Sequence, residues 1–538
     1  MSGEQMNIIS EHETARMLDH LNERTFLGSL KRAAQLRGNE VAVRFTDGAD
    51  HTAPDLLLQS GKMAALLASM GVKAGDRVVI LCGNRAEFLW TLFAASWLGA
   101  VPAPLNVSLR GMTLRHPLDE LDPVLIVCEN ATAEALNGCG GATNRTVLNV
   151  DTEAAFAEIR AGAGSTAFPP ASPGRPADLA FISYTSGTTG HSKGIMYSNE
   201  MAIAFGESND WLLGYTRADI AFTCLPLFHG NAVFCSLLPG LRAGAMIVYA
   251  PRFSASTYWQ TVREQRATVL NLLGSMVPIL LDRPPDMADA VTTARIALAV
   301  PMPNKRFHEF QERFRMKLTS LYGMTDMGVL VGIPSDIPGR PGKCGIENPM
   351  WECFLADDDD KPVPDGVIGE MLARPRRPNI MQLGYWRNAA ATVEAWRNLW
   401  FHTGDYLRRD PDGWYEFIDR KKDAMRRFGE NISSYEVELA LQGHPDVQEV
   451  AVYAVAARLE EDEVMTSLVL KPGSTVTPAE LLKHCETELP YYAVPRYYRV
   501  VSELPRTPTA KIQKGELRQI GIDGRTWDAG PRGRSKRG

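Results

Sequence analysis

One run in this chain has the make-up of an anion cradle: Tyr184-Thr185-Ser186-Gly187-Thr188-Thr189-Gly190-His191-Ser192-Lys193-Gly194. Glycines let a backbone turn tightly and present its amides, hydroxyls add donors, and a lysine adds a cation. Thr185, Ser186, Gly187, Thr188, Thr189, Gly190 and Lys193 therefore suit the oxygens of phosphate groups. The apolar run Leu179 to Tyr184 predicts a strand feeding directly into this loop, which a plain flexible surface segment would not require. The run differs from the common nucleotide loop, in which the lysine is followed by Ser or Thr, because Gly194 follows Lys193.

Other concentrations of reactive side chains read as structural. The 8 cysteines stand singly, at 82, 128, 139, 224, 235, 344, 353 and 485, without the paired spacing of a zinc or redox site, so a reducing cytoplasm is the expected location. Asp357 to Asp360 read as a solvated hairpin tip, since their neighbours offer no ligand spacing.

The elements that must position the loop follow from length and pattern. A chain of 538 residues exceeds what one hydrophobic core organises, so two or three domains are expected. Hydrophobic residues at 45% and charged residues at 22% are ordinary globular usage, which excludes disordered and fibrous classes. A formal net charge of -6 gives no global attraction to nucleic acid or to an anionic membrane, and the basic run from Arg532 to Arg537 reads as a solvated tail. Glu4, Glu11 and Glu13 stand where a signal peptide needs a basic start. Phe88 to Leu109 is uncharged and nearly long enough to span a membrane, but Gly99, Pro102 and Pro104 break it, so it reads as a buried helix followed by a buried strand.

From about residue 76, short β-rich runs alternate with helical ones: Asp76 to Cys82 then Ala86 to Leu98, Val124 to Cys128, and Leu179 to Tyr184 then a helix from Asn199. This predicts an α/β domain with largely parallel strands. Trp351 to Glu370 has strand-and-turn character. Past Arg420, Ser433 with Glu436 and Thr477 with Glu480 form capping boxes that open helices, with strands expected at Glu449 to Val455 and Met465 to Leu470. A small α+β domain of about a hundred residues therefore closes the chain.

The loop resembles the phosphate-binding signature of the adenylate-forming superfamily, which includes acyl-CoA synthetases, amino-acid adenylation domains and beetle luciferases. Further segments agree in order and spacing: LPLFH at Leu225 to His229, YGMTD at Tyr322 to Asp326, HTGD at His402 to Asp405, DRKKD at Asp419 to Asp423, GENISSYEVE at Gly429 to Glu438 and TAKIQK at Thr509 to Lys514. The resemblance in LPLFHGNA and RRFGENISSYEVE is closest to ligases of the carnitine/crotonobetaine type. It implies a large N-terminal domain of α/β subdomains with a β-barrel-like subdomain, at 1–420, and a small mobile α+β C-terminal domain, at 421–538.

The resemblance also assigns roles. Thr185 and Asp326 would hold Mg2+ against the phosphates of ATP, Thr325 would contact the α-phosphate, and Tyr322, with Gly323 and Met324, would lie at the nucleotide. Asp405 would accept hydrogen bonds from the ribose hydroxyls and Arg420 would reach the same sugar. Lys511 corresponds to the catalytic lysine, Lys422 to the hinge, and His229 to a residue gating the acyl site. The implied reaction activates a carboxylic acid as acyl-AMP and transfers it to coenzyme A. An adenylation-only enzyme with a separate acceptor, a luciferase-like oxygenase and a non-catalytic homologue remain open.

Several positions depart from the superfamily pattern: Asp326 stands where Glu is usual, Ser192 replaces a frequent proline, Ala297 to Pro303 replaces a Gly/Ala-rich run, and Phe428 and Ala510 replace smaller or basic residues and glycine. Amino-acid-activating relatives need a carboxylate for the substrate ammonium, where this chain has His229-Gly230-Asn231. Phe234, Met276, Val277, Met324 and Met327 favour an uncharged acyl chain or ring, and serve equally as core. No carrier-protein segment is read after Lys511, so coenzyme A is the expected acceptor, and a homodimer is the assembly left open.

Overall fold

The computed structural model describes residues 22–161, 167–184, 193–303, 306–421, 425–427, 430–432, 434–456, 462–489, 493–506 and 512–530. Two compact units are present. Of the described residues, the first draws on those within 22–184, 193–352 and 374–394, the second on those within 353–373 and 395–530.

The two largest sheets of the first unit are largely parallel, and smaller antiparallel sheets accompany them. A seven-stranded sheet runs in the order Lys317–Thr319, Ile296–Val300, Val269–Leu273, Ile220–Thr223, Met246–Tyr249, Val41–Phe45 and Asp50–Thr52, parallel except at the last pair. The second sheet is parallel throughout, in the order Val101–Pro104, Arg77–Leu81, Leu125–Cys128 and Thr146–Asn149. Parallel strands of this kind are covered on both faces, and Val78, Val79, Ile80, Ile126 and Val127 are all fully buried.

The uncharged stretch after Phe88 forms a buried helix, Ala86–Leu98, followed by the strand Val101–Pro104. Gly99 ends that helix in the left-handed conformation, with φ 69, and its amide donates to Ala95. Among the described residues, no helix is long and apolar enough to cross a membrane.

Asp219 ties together the amino ends of three neighbouring strands in the larger sheet. It precedes Ile220–Thr223 and accepts from Thr268 Oγ1 at 2.6 Å and from Arg295 Nε at 2.9 Å; these two residues immediately precede Val269–Leu273 and Ile296–Val300. The Thr216 amide adds a bond at 2.8 Å. Burial alone would raise the carboxyl, but the bonds from Arg295, Thr268 and Thr216 outweigh it and hold Asp219 below the ordinary carboxylate value. A depressed carboxyl contributes stability that is complete above its unfolded value and lost as pH falls through its folded value. Urea unfolding between pH 7 and about pH 3 should therefore show a shallower acid-side loss in Asp219→Asn than in the wild type. Equal slopes would remove Asp219 from the acid limb.

Trp351–Ala356, Ile368–Pro375, Phe401–Arg409 and Tyr415–Arg420 form a four-stranded sheet in that order, most of it in the second unit. The four aspartates sit at a hairpin turn, with the Asp357 amide donating to Lys361. The end of the chain forms a second four-stranded sheet, Val447–Ala456, Asp462–Leu470, Tyr497–Val500 and Thr526–Asp528. It carries the helices Ser434–Gln442, Pro478–Glu488 and Lys514–Ile520. Thr477 and Glu480 close the capping box that opens Pro478–Glu488; Ser433 lies outside the described residues.

Candidate functional site

The phosphate-loop candidates are framed by a hairpin. Leu179–Tyr184 pairs antiparallel with Gly194–Ser198, and Tyr184 faces Gly194. A side chain at 194 would meet the Tyr184 ring at 3.0 Å, so glycine lets the two strands close. Thr185, Ser186, Gly187, Thr188, Thr189 and Gly190 lie outside the described residues. The return strand was not expected from the sequence, where the helix starting at Asn199 stood next after the loop. The helix is present, Asn199–Leu213, capped by Ser198.

Lys193 is exposed, and its Nζ lies 4.8 Å from the centre of the Tyr385 ring. The Tyr385 hydroxyl donates to Asp326 Oδ1 at 2.5 Å, and Gln382 Nε2 lies 3.4 Å from the same oxygen. Tyr385 gets there because its segment adds to the edge of Gly194–Ser198: the Leu383 amide donates to Met196, the Met196 amide to Gly384 and the Trp386 amide to Gly194. The structure thus joins two sequence-predicted residues, Lys193 and Asp326, through Tyr385, while Gln382 adds a contact to Asp326 alone; sequence reasoning missed both Tyr385 and Gln382. No periodic signal marks the Gln382 to Trp386 stretch as strand-like.

Asp326 sits in the turn of a second hairpin, Leu321–Met324 with Gly328–Gly332. A Cβ on Gly323 would stand 2.2 Å from the Gly328 carbonyl oxygen, so this crossing admits only glycine. Tyr322 is buried and Met324 half-buried on the same strand. Tyr197, whose hydroxyl burial keeps protonated, donates to the Thr325 carbonyl oxygen and fixes the turn. Burial raises the Asp326 carboxyl, against the opposing pull of Tyr385 and Lys193. With Oδ1 engaged, Asp326 keeps lone pairs on Oδ2, the hard oxygen donor that Mg2+ takes from protein while phosphates supply others. Among the described residues no cluster of three or more metal-binding side chains occurs.

In the second unit the two ribose candidates come together. Asp405 and Arg420 are register partners on adjacent strands, with Arg420 Nε 3.7 Å from Asp405 Oδ1. Asp405 is 6% exposed, and the Gly404 amide beside it donates to Glu370 Oε1 at 3.1 Å. Lys422 and Lys511 lie outside the described residues. The flanks of Lys511 are pinned: Arg506 bridges Ile512, the Gln513 amide donates to Pro505 at 2.8 Å, and Lys514 Nζ pairs with Glu438 at 2.9 Å and bonds Ser434.

His229 is half-buried in a turn, its amide donating to Pro226. A π-helix follows at Ala232–Leu237, a local widening of the helical turn that recurs at functional sites. Phe234 is fully buried there, stacked on Tyr197 at 5.1 Å and on Phe205 at 4.9 Å. Met276, Val277 and Met327 are buried as well.

A strand leading into the Gly/Thr-rich run, an acidic turn tied to Lys193 through Tyr385 and, in the second unit, a buried carboxylate paired with an arginine fit a nucleotide-handling α/β protein. The chain belongs to the AMP-binding enzyme family, which it matches over residues 30–386, with the AMP-binding enzyme C-terminal domain matched over 436–511. It is 28% identical over 474 residues to the crotonobetaine/carnitine–CoA ligase of Salmonella enteritidis, covering 85% of this chain and 91% of that one. Its fold superposes with a TM-score of 0.82 on ATP-bound MatB from Rhodopseudomonas palustris, at 25% identity, covering 92% and 98% of the two chains. O-succinylbenzoate coenzyme A synthetase from Bacillus subtilis, solved with AMP, is 24% identical with a TM-score of 0.80.

Proposed function

We propose that the chain is an AMP-forming acid–thiol ligase. A carboxylate oxygen attacks the α-phosphorus of ATP, pyrophosphate leaves, and the acyl-AMP formed is attacked at its carbonyl carbon by the thiol of coenzyme A, giving acyl-CoA and AMP. The observation that carries this reading is the linkage of Lys193 to Asp326 through Tyr385, which puts a cation and an acidic turn at the exit of one strand-fed loop. Membership of the AMP-binding family and likeness to named CoA ligases support it.

In this reading Thr185, Ser186, Gly187, Thr188, Thr189, Gly190 and Lys193 hold the phosphates, and Thr325 reaches the α-phosphate. Tyr322, Gly323 and Met324 border the base, and Asp405 with Arg420 binds the ribose. Thr185 and Asp326 hold Mg2+, which supplies charge neutralisation to the leaving pyrophosphate. Lys511 bridges the two reacting anions, and His229 borders the acyl group. Residues 1–420 bind ATP and acid, and 421–538 turn about Lys422 between the two half-reactions. The acid carries an uncharged chain or ring, and the enzyme works in the cytoplasm.

The test is a panel of carboxylic acids assayed for pyrophosphate release with and without coenzyme A, with mass-spectrometric detection of thioesters. Acid-dependent pyrophosphate release and a thioester that appears only with coenzyme A are expected. Release without thioester points to a separate acceptor, and no release with any acid sinks the reading.

A further inference from the structure

A buried amide beside the His229 turn is placed with no apparent use in nucleotide chemistry. Asn271 lies within the strand Val269–Leu273, in register with Thr223 on one side and Leu298 on the other, and is 1% exposed. Its Nδ2 donates to Ser236 Oγ at 3.2 Å and to Asn231 Oδ1, while its own Oδ1 has no partner. Leaving a buried acceptor unpaired is destabilising. A valine at this central strand position would avoid that cost, so the amide is held for what it does to its neighbours.

Asn231 stands two residues after His229 and opens the π-helix that contains Ser236. These residues gather just past the carboxyl end of Ile220–Thr223 and along its neighbour Val269–Leu273, the edge at which open parallel sheets receive ligands. Asn231 is half-buried, and its side-chain oxygen is taken by Asn271. The part of Asn231 left to face outward is its NH2 group, a donor. A ligand group complementary to it must be an acceptor.

We propose that Asn231 is a specificity residue that reads a hydrogen-bond acceptor on the acyl portion of the acid, such as a ketone oxygen or a ring nitrogen, with Asn271 and Ser236 as positioning residues. This rests on the ligase reading, which places the acid beside His229, and it narrows the substrate class to uncharged acids with one acceptor beyond the carboxylate. The hydrogen bond is direct, and no bond is made or broken by these residues.

Matched pairs of acids test it: levulinate against valerate and isonicotinate against benzoate, titrated calorimetrically into the full chain in the presence of AMP. The acceptor-bearing member of a pair should bind about fivefold more tightly, the worth of one net hydrogen bond. Asn231→Leu should abolish or reverse that preference, and Asn231→Asp, which replaces the donor with an anionic acceptor, should reverse it. Asn271→Asp should narrow it by removing the amide that orients Asn231. Equal binding within every pair, absence of binding included, overturns the inference, as does a preference that survives Asn231→Leu. A preference in binding with no pyrophosphate release from any acid would retire the ligase reading and leave Asn231 as a reader of acceptors.

Discussion

Asp326→Ala will slow acid-dependent pyrophosphate release by about a hundredfold, in the range that single preorganised electrostatic contacts contribute to a transition state. The substitution removes the carboxylate proposed to hold Mg2+ and also the acceptor that fixes the Tyr385 hydroxyl at 2.5 Å. Tyr385 in turn lies under the Lys193 ammonium, so its loss of orientation would reach the phosphate loop. The two effects separate experimentally. Tyr385→Phe keeps the carboxylate and deletes only the hydrogen bond to it, so a smaller loss, of about tenfold, is expected. Only Asp326→Ala should raise the Mg2+ concentration needed for half-maximal rate. An Asp326→Ala enzyme with wild-type rate and Mg2+ dependence would end the assignment.

Which parts of this arrangement the sequence reveals depends on how local their causes are. The helix Ala86–Leu98 was legible to the residue, since an uncharged run bounded by Gly99 and two prolines has few other readings. The strand Leu179–Tyr184 and the capped helix after Thr477 were legible for the same reason: each is specified by neighbours within a few positions. The return strand Gly194–Ser198 is only five residues long and packs its aromatic and apolar side chains by tertiary contact, so no period announced it. Tyr385 was invisible because its role comes from pairing across nearly two hundred positions of chain, as the Ile195 bridge to Tyr385 shows. The same holds for Asp219, whose partners Thr268 and Arg295 are gathered only by strand order, and for the meeting of Asn231 with Asn271. Asp405 and Arg420 lie midway between these cases. Their residue types pointed to a sugar through the resemblance, and the antiparallel register then set them opposite one another.

Lys511→Ala should reduce adenylation by about a thousandfold while leaving thioester formation from supplied acyl-adenylate largely intact. Adenylation brings a carboxylate against a phosphate, and two unit charges about 4 Å apart repel by about 4 kcal/mol at the effective dielectric of a protein surface. A cation between them offsets repulsion of that size, which corresponds to about three powers of ten in rate. The acyl-adenylate has already joined the two anions in one mixed anhydride, so attack on its carbonyl by a thiol no longer needs that cation. The substitution should be clean, because the flanks of Lys511 are held independently of its side chain, by the Arg506 bridge to Ile512 and by Lys514 on Glu438. Lys422→Pro gives the complementary result. If residues 421–538 turn about Lys422 to serve the second step, fixing that backbone angle should impair thioester formation selectively and spare pyrophosphate release. Equal loss of both half-reactions in Lys511→Ala would refute the two-orientation reading. A wild-type protein that accumulates acyl-adenylate and forms no thioester with coenzyme A would assign the second step to another protein.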